Sequence, residues 1–265
     1  GLALALLATG LVAGVLAGLL GVGGGIVIVP VLYHLFTLLG IDESVRMHAA
    51  VGTSLATIIP TSIMSSRAHR KRGSLDMSLI KRLMPSVIVG VIVGSVASRF
   101  LSGASLTAVF ASIALLVAIN MAFKRDGFAV ADGLPGTAGT ALLGSGIGGV
   151  STLMGIGGGT LSVPILNALR VPMHTAVGTG AMLGMVISFP GALAFILNGL
   201  DVPLRPPFSL GYVNLLGFAL IVPATLTTTG WGAKLAHSIN AQRLRQVFAL
   251  FLALTAARMF YGLMT

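Results

Sequence analysis

Apolar residues gather in long runs parted by short polar or glycine-rich breaks. The runs lie at about 1–20, 26–39, 48–66, 78–98 and 104–123, then 134–153, 159–169, 173–198, 209–229 and 244–264. A helix of about 20 residues crosses the ~30 Å hydrocarbon layer, so most of these runs predict membrane helices. The apolar–polar alternation of an outer-membrane barrel strand is missing. The runs 26–39 and 159–169 are short and directly follow glycine clusters, so the first two runs of each half read as one interrupted element. The run 1–20 lacks a basic n-region and a polar break before the next apolar run, and reads as a membrane helix rather than a signal peptide.

Composition excludes the soluble classes. Of 265 residues, 55% are hydrophobic and only 8% charged, against about 25% charged in ordinary soluble domains. A water-soluble globule of this size could not cover its surface with so few charges. The net charge of +10 arises because Lys and Arg number 16 and the acids only 6. Arg67, Arg70, Lys71, Arg72, Lys81 and Arg82 cluster between two apolar runs, where bases mark a cytoplasmic loop rather than a nucleic-acid site. With no cysteine, disulfides, thiolate nucleophiles and Cys-ligated metals are excluded.

The chain repeats itself. LLGVGGGIVIVPVL at 19–32 returns as LMGIGGGTLSVPIL at 153–166, and MHAAVGT at 47–53 as MHTAVGT at 173–179. From Gly73 a constant offset of 138 pairs Pro85 with Pro223, Gly94 with Gly232 and Met121 with Met259. Two membrane repeats, 1–123 and 136–265, joined by a cytoplasmic linker at 124–135, follow from this. Charge sets their orientation. The basic loop of the first half corresponds to one holding Asp201 and Arg205, which cancel, whereas the loop that holds only Arg99 corresponds to Lys234, Arg243 and Arg245. The basic side has swapped, so the repeats are expected to insert with opposite topology. The expected fold is an all-α integral membrane protein of about eight to ten membrane segments, each repeat opening with a Gly-broken first helix or re-entrant hairpin.

Gly23, Gly24 and Gly25 correspond to Gly157, Gly158 and Gly159, with Pro30 and Pro164 five residues after the third glycine. Close helix packing accounts for spaced glycines such as Gly10, Gly14 and Gly18. Three in a row weaken a helix beyond what packing needs. A helix broken in a membrane frees backbone N–H groups, and at a half-helix start these groups and the dipole form an anion cradle without a charged side chain. GVGGGI lacks the third glycine of a dinucleotide fingerprint at its required spacing and follows no βαβ strand. No Gly-Lys-Ser/Thr follows either cluster, so there is no Walker loop.

His48 and His174 each precede a Thr, Thr53 and Thr179, by five residues, with Gly between. That spacing brings the three near one helix face. A single such His would read as an interfacial helix-start residue; its recurrence beside the same Val-Gly-Thr favours a site. Both histidines are the candidate proton relay, since imidazole titrates near neutrality. The six acids all avoid the centres of the predicted spans, which disfavours a cation path and costs an anion path nothing. No metal site, cofactor or nucleophile setting for Ser54 is found, so the chain reads as no enzyme. Substrate contacts are expected from Gly23–Gly25, His48, Thr53, Ser54, Gly157–Gly159, Thr160, His174 and Thr179.

The duplicated GxGGGxxxxP followed by H-x-A-V-G-T resembles the TauE/SafE family of sulfite and organosulfonate exporters over essentially the whole chain. The resemblance implies a multi-pass transporter of the bacterial or archaeal plasma membrane that moves small sulfur-containing anions such as sulfite or sulfonates. Its partners would be a small anionic substrate, the lipid bilayer and protons as coupling ion, with no nucleic acid. The expected mechanism is secondary transport by alternating access between the two Gly breaks, the alternative being a passive anion channel. Opposite insertion of the repeats predicts that the loops at 67–77 and 234–243 share the cytoplasmic side. Single Ser74→Cys and Ser238→Cys variants, made in this Cys-free chain, then react alike with an impermeant thiol reagent in oriented vesicles; opposite accessibility refutes the arrangement.

Overall fold

The computed structural model describes residues 2–20, 24–123, 131–235 and 241–264. It is a bundle of helices: α1 (Leu2–Leu20), α2 (Gly25–Leu38), α3 (Glu43–Lys71), α4 (Met77–Ser98), α5 (Gly103–Phe123), α6 (Thr137–Met154), α7 (Gly159–Ala168), α8 (Met173–Asn198), α9 (Leu215–Leu235) and α10 (Ala241–Met264). A two-stranded hairpin, β1 (Ser209–Leu210) and β2 (Val213–Asn214), joins α8 to α9. Helices α3, α4, α5, α8 and α9 are long and apolar enough to cross a membrane. The chain is thus an all-α multi-pass membrane protein.

Polar residues extend α3 beyond its apolar run at both ends. At its start the Asp42 carboxylate accepts from Ser44 N at 2.9 Å, the side-chain cap an N-terminus requires. Asp76 caps α4 in the same way through Ser78 N and Leu79 N. Of the five spans α3 is the most enclosed: 78% of its membrane-length window is buried, against 39–50% in the others. It is also the least apolar of them, because its hydroxyl-bearing side chains face protein rather than lipid.

Each half supplies five helices, and the contacts exchange between halves. Helix α1 packs along α9 and its counterpart α6 along α4, while α3 packs on α8 and α5 on α10. The close approaches repeat residue by residue. Gly14 of α1 seats Thr225 of α9, and Gly148 of α6 seats Val87 of α4; Gly94 meets Gly149, and Gly232 meets Val15. Small residues at these four sites let backbones touch, which is what drives helix association where lipid replaces water.

Helices α3 and α8, counterparts in the two halves, run antiparallel. Leu55 reaches Gly191, Ser62 reaches Gly184, and His69 Cβ comes within 3.5 Å of a carbon placed at Gly178. The α6–α7 unit starts and finishes at one end of the bundle, since Gly133 N donates to Leu169 O at 3.0 Å. That end also carries the 72–76 turn, and the opposite end carries the α8–α9 hairpin with the 99–102 turn.

The symmetric glycine contacts carry an expectation. Gly94→Val and Gly232→Val drive a side chain into the partner backbone and should each lower stability by about 1–3 kcal/mol. Gly146→Ala, with nothing within 4 Å of the added carbon, should not lower it and gains helix propensity. Thermal unfolding in detergent measures all three, and equal melting temperatures would refute the packing account.

Candidate functional site

The two glycine breaks meet at the centre of the bundle. Gly24, with φ 78°, caps the start of α2, and Gly155, with φ 64°, ends α6; both lie in the left-handed region glycine favours. A methyl group at Gly25 would lie 2.5 Å from Gly155 O and 3.0 Å from Ile156 Cα, so the breaks of opposite halves are in contact. Gly23 lies outside the described residues.

The α6–α7 break is held between α3 and α8. The Ser54 hydroxyl donates to Gly155 O at 2.6 Å and closes a carbonyl at the end of α6. Gly180 and Gly184, one turn apart on α8, receive the start of α7: a methyl at Gly180 would stand 2.8 Å from Gly159 Cα, and one at Gly158 would stand 2.9 Å from Gly184 N. Gly157 lies in the non-helical link just before this contact. Thr160 and Thr179 are both buried, and among the described residues their hydroxyls meet no hydrogen-bond partner. The same holds for Ser62, Ser65, Ser151, Ser162 and Ser188, which the repeat alignment did not select. Serine within an apolar run was the available signal, but only the packing tells an unpaired hydroxyl from one bonded to its own helix.

The His–Gly–Thr motif of the first half faces the α8–α9 hairpin. His48 is buried, donates from Nε2 to Ser98 O at 3.2 Å and stacks on Tyr212 with ring centroids 5.0 Å apart. Gly52 lies under Tyr212 O, and the Thr53 hydroxyl accepts from Asn214 N at 2.8 Å. In the second half Gly178 lies under Ser74 O, the symmetric turn, but His174 is exposed at the start of α8. The structure therefore brings Gly25 and Ser54 together at Gly155, seats Gly158 and Gly159 against α8, and separates the two histidines from that centre and from each other. Phe195 and Tyr212, 6.3 Å apart, complete an aromatic cluster with His48 at the hairpin end.

Apart from Arg258 within α10, the described charge lies toward the two ends, and no Lys or Arg is found among the described buried side chains. The end bearing the 72–76 turn holds Arg67, Arg70, Lys71, Arg72, Lys81, Arg82, Arg170 and Lys234 against Asp76 and Asp132; the hairpin end holds Arg46, Arg99 and Arg205 against Asp42, Glu43 and Asp201. At the basic end Arg170 pairs with Asp132 at 2.8 Å beside an open cavity of about 500 Å³. There the Ser78 hydroxyl, helped by the amide of Leu79, holds the Asp76 carboxyl below the usual carboxylate range. Arg170 adopts φ 57° where the first half has Gly40 at φ 69°. Among the described residues there is no cluster of metal-ligating side chains.

A polytopic helical bundle with broken helices meeting in an uncharged core defines a membrane transport protein. Residues 6–259 match the sulfite exporter TauE/SafE family, and the chain belongs to that family. It is 34% identical over 261 residues to a probable membrane transporter protein of Haemophilus influenzae, covering 96% of each chain. It is similar also to probable membrane transporter proteins of Methanocaldococcus jannaschii, 26% identical over 91% of this chain and 88% of the relative, and of Bacillus subtilis, 25% identical over 97% and 96%. No solved structure matches. The protein is a multi-pass membrane transporter, not an enzyme.

Thr53 and Ser54 hold backbone groups, which makes their loss visible as stability. Thr53→Val strands Asn214 N–H and Ser54→Ala strands the Gly155 carbonyl; each should cost about 1–3 kcal/mol, read as a lower melting temperature. A Thr53→Val protein that melts normally yet loses transport would instead put that hydroxyl on substrate.

Proposed function

We propose that the protein is a secondary transporter that exports small sulfur-containing oxyanions, sulfite or organosulfonates, by alternating access at the paired glycine breaks. The observation that carries this reading is the contact of Gly25 with Gly155 and Ile156 in a core whose described residues include no buried Lys or Arg. An anion there needs donors, and half-helix starts supply amide N–H groups with a dipole worth about 0.3–2 kcal/mol each. The TauE/SafE membership supports sulfite as the first anion to test.

The two repeats insert with opposite orientation. Support comes from the antiparallel run of the counterparts α3 and α8, and from the basic residues at the end of the 72–76 turn, which the positive-inside rule assigns to the cytoplasm. Alternating access then exchanges the conformations of the halves, opening first one end and then the other. At the hairpin end the His48–Phe195–Tyr212 cluster stands as the closure; at the basic end the Arg170–Asp132 pair and its cavity form the mouth.

Proteoliposomes test the reading. With the membrane potential clamped by potassium and valinomycin, labelled sulfite should show counterflow, transient accumulation driven by unlabelled sulfite inside, which a passive channel cannot then produce. Gly158→Ala sets a methyl 2.8 Å from Leu183 Cβ, and Gly24→Ala forces alanine into the left-handed region at a cost of about 1–2 kcal/mol. Both should weaken sulfite binding about fivefold or more while the protein stays monodisperse. Normal binding and flux in both variants would move the site elsewhere.

A further inference from the structure

We propose that the ligand of this transporter is a singly charged oxyanion, and that it is held on one side of the crossing, by the hydroxyls of Ser62 and Ser162 with the amide of Gly158. The inference rests on the anion reading above and names the substrate charge and two contacts that reading leaves open. Its starting point is a difference among hydroxyls. Buried Thr61, Ser66, Thr152, Thr225 and Thr229 all donate to a carbonyl four residues back in their own helix, the usual solution in apolar surroundings. Ser62 and Ser162 are 1% and 0% exposed, and their hydroxyls meet no partner among the described residues. A buried hydroxyl left unpaired carries a desolvation cost, so each is stabilised once an external group bonds to it.

Both hydroxyls face one strip of α8. At Gly184 the position a side-chain carbon would take is 2.6 Å from Ser62 Oγ and 3.7 Å from Gly158 N. At Gly180, one turn away, the same position is 3.0 Å from Ser162 Oγ and 2.8 Å from Gly159 Cα. Three helices thus contribute: α3 and α7 a hydroxyl each, α7 its amino-terminal amide, and α8 two glycines that keep the strip free of side chains. The strip is closed in this conformation, with Gly158 against Leu183 and Gly184. Admission of a ligand requires α7 to part from α8, a movement that alternating access provides.

The donor set decides the charge. A half-helix start carries about half a positive unit, two neutral hydroxyls add partial charge, and no described Lys or Arg is buried. Desolvation rises with the square of the charge, so a dianion costs roughly four times as much to bury as a monoanion of the same size. Sulfur oxyanions of one charge, hydrogensulfite or an alkanesulfonate, fit this compensation. Those of two do not.

The test uses the full chain in proteoliposomes and two probes of nearly equal size, labelled methanesulfonate with one charge and labelled sulfate with two. Methanesulfonate should exchange at least about tenfold faster than sulfate. Ser62→Ala and Ser162→Ala should each raise its half-saturation concentration about tenfold, the loss of one hydrogen bond to a charged group. Ser66→Ala, whose hydroxyl is already bonded within α3, should leave that concentration unchanged, and neither Ser62→Ala nor Ser162→Ala should melt below the wild type. If sulfate exchanges as fast as methanesulfonate, the charge assignment falls. If methanesulfonate exchanges but neither Ser62→Ala nor Ser162→Ala alters its half-saturation, the placement falls and the anion reading stands. If wild type exchanges neither probe nor sulfite, the anion reading itself falls.

Discussion

A helix interrupted away from water must find partners for the backbone groups it frees, and in this protein each half leans on the other to do so. The end of α6 is closed by Ser54 of α3, from the first half, and the start of α2 lies directly on Gly155 and Ile156, from the second. Those contacts account for the enclosure of α3, and glycines recur where α1 meets α9 and α6 meets α4. Any larger residue at Gly25, Gly180 or Gly184 would separate the breaks from the helices that complete them.

The two-fold relation is close in the helices and looser in the connections. Gly52 and Gly178 each lie under the carbonyl of a connection, Tyr212 and Ser74 respectively, so the same backbone contact is made twice. One connection is a short turn and the other a hairpin with aromatic residues, and this difference buries His48 while leaving His174 exposed.

Chemically, the centre stands apart from a salt-bridged site. Its polar groups are hydroxyls and backbone amides, each contributing a modest interaction. On the anion reading proposed above, such a set would offset the desolvation of a small anion without holding it as firmly as a buried arginine would, and a transporter must release what it binds. Most of the described bases sit at the end of the 72–76 turn, outside the core.

Much of the architecture was legible in the chain itself. Run length marked the membrane helices. The repeated GxGGGxxxxP and H-x-A-V-G-T motifs marked the two halves and the breaks, because three adjacent glycines contradict the helix around them. The uncharged core followed from where the six acids and sixteen bases lie. What the chain could not show is which hydroxyls are already engaged. Thr53 and Ser54, chosen for their place in a motif, are bonded to Asn214 and Gly155, whereas Ser62 and Ser162, with no motif to mark them, stand unpaired against α8. Hydrogen bonds between residues 101 or 161 positions apart depend on how helices cross, and local spacing carries no record of that crossing. Periodicity and composition determined the fold class and the location of the breaks; the packing of α3 and α7 against α8 decided which atoms face the space between them.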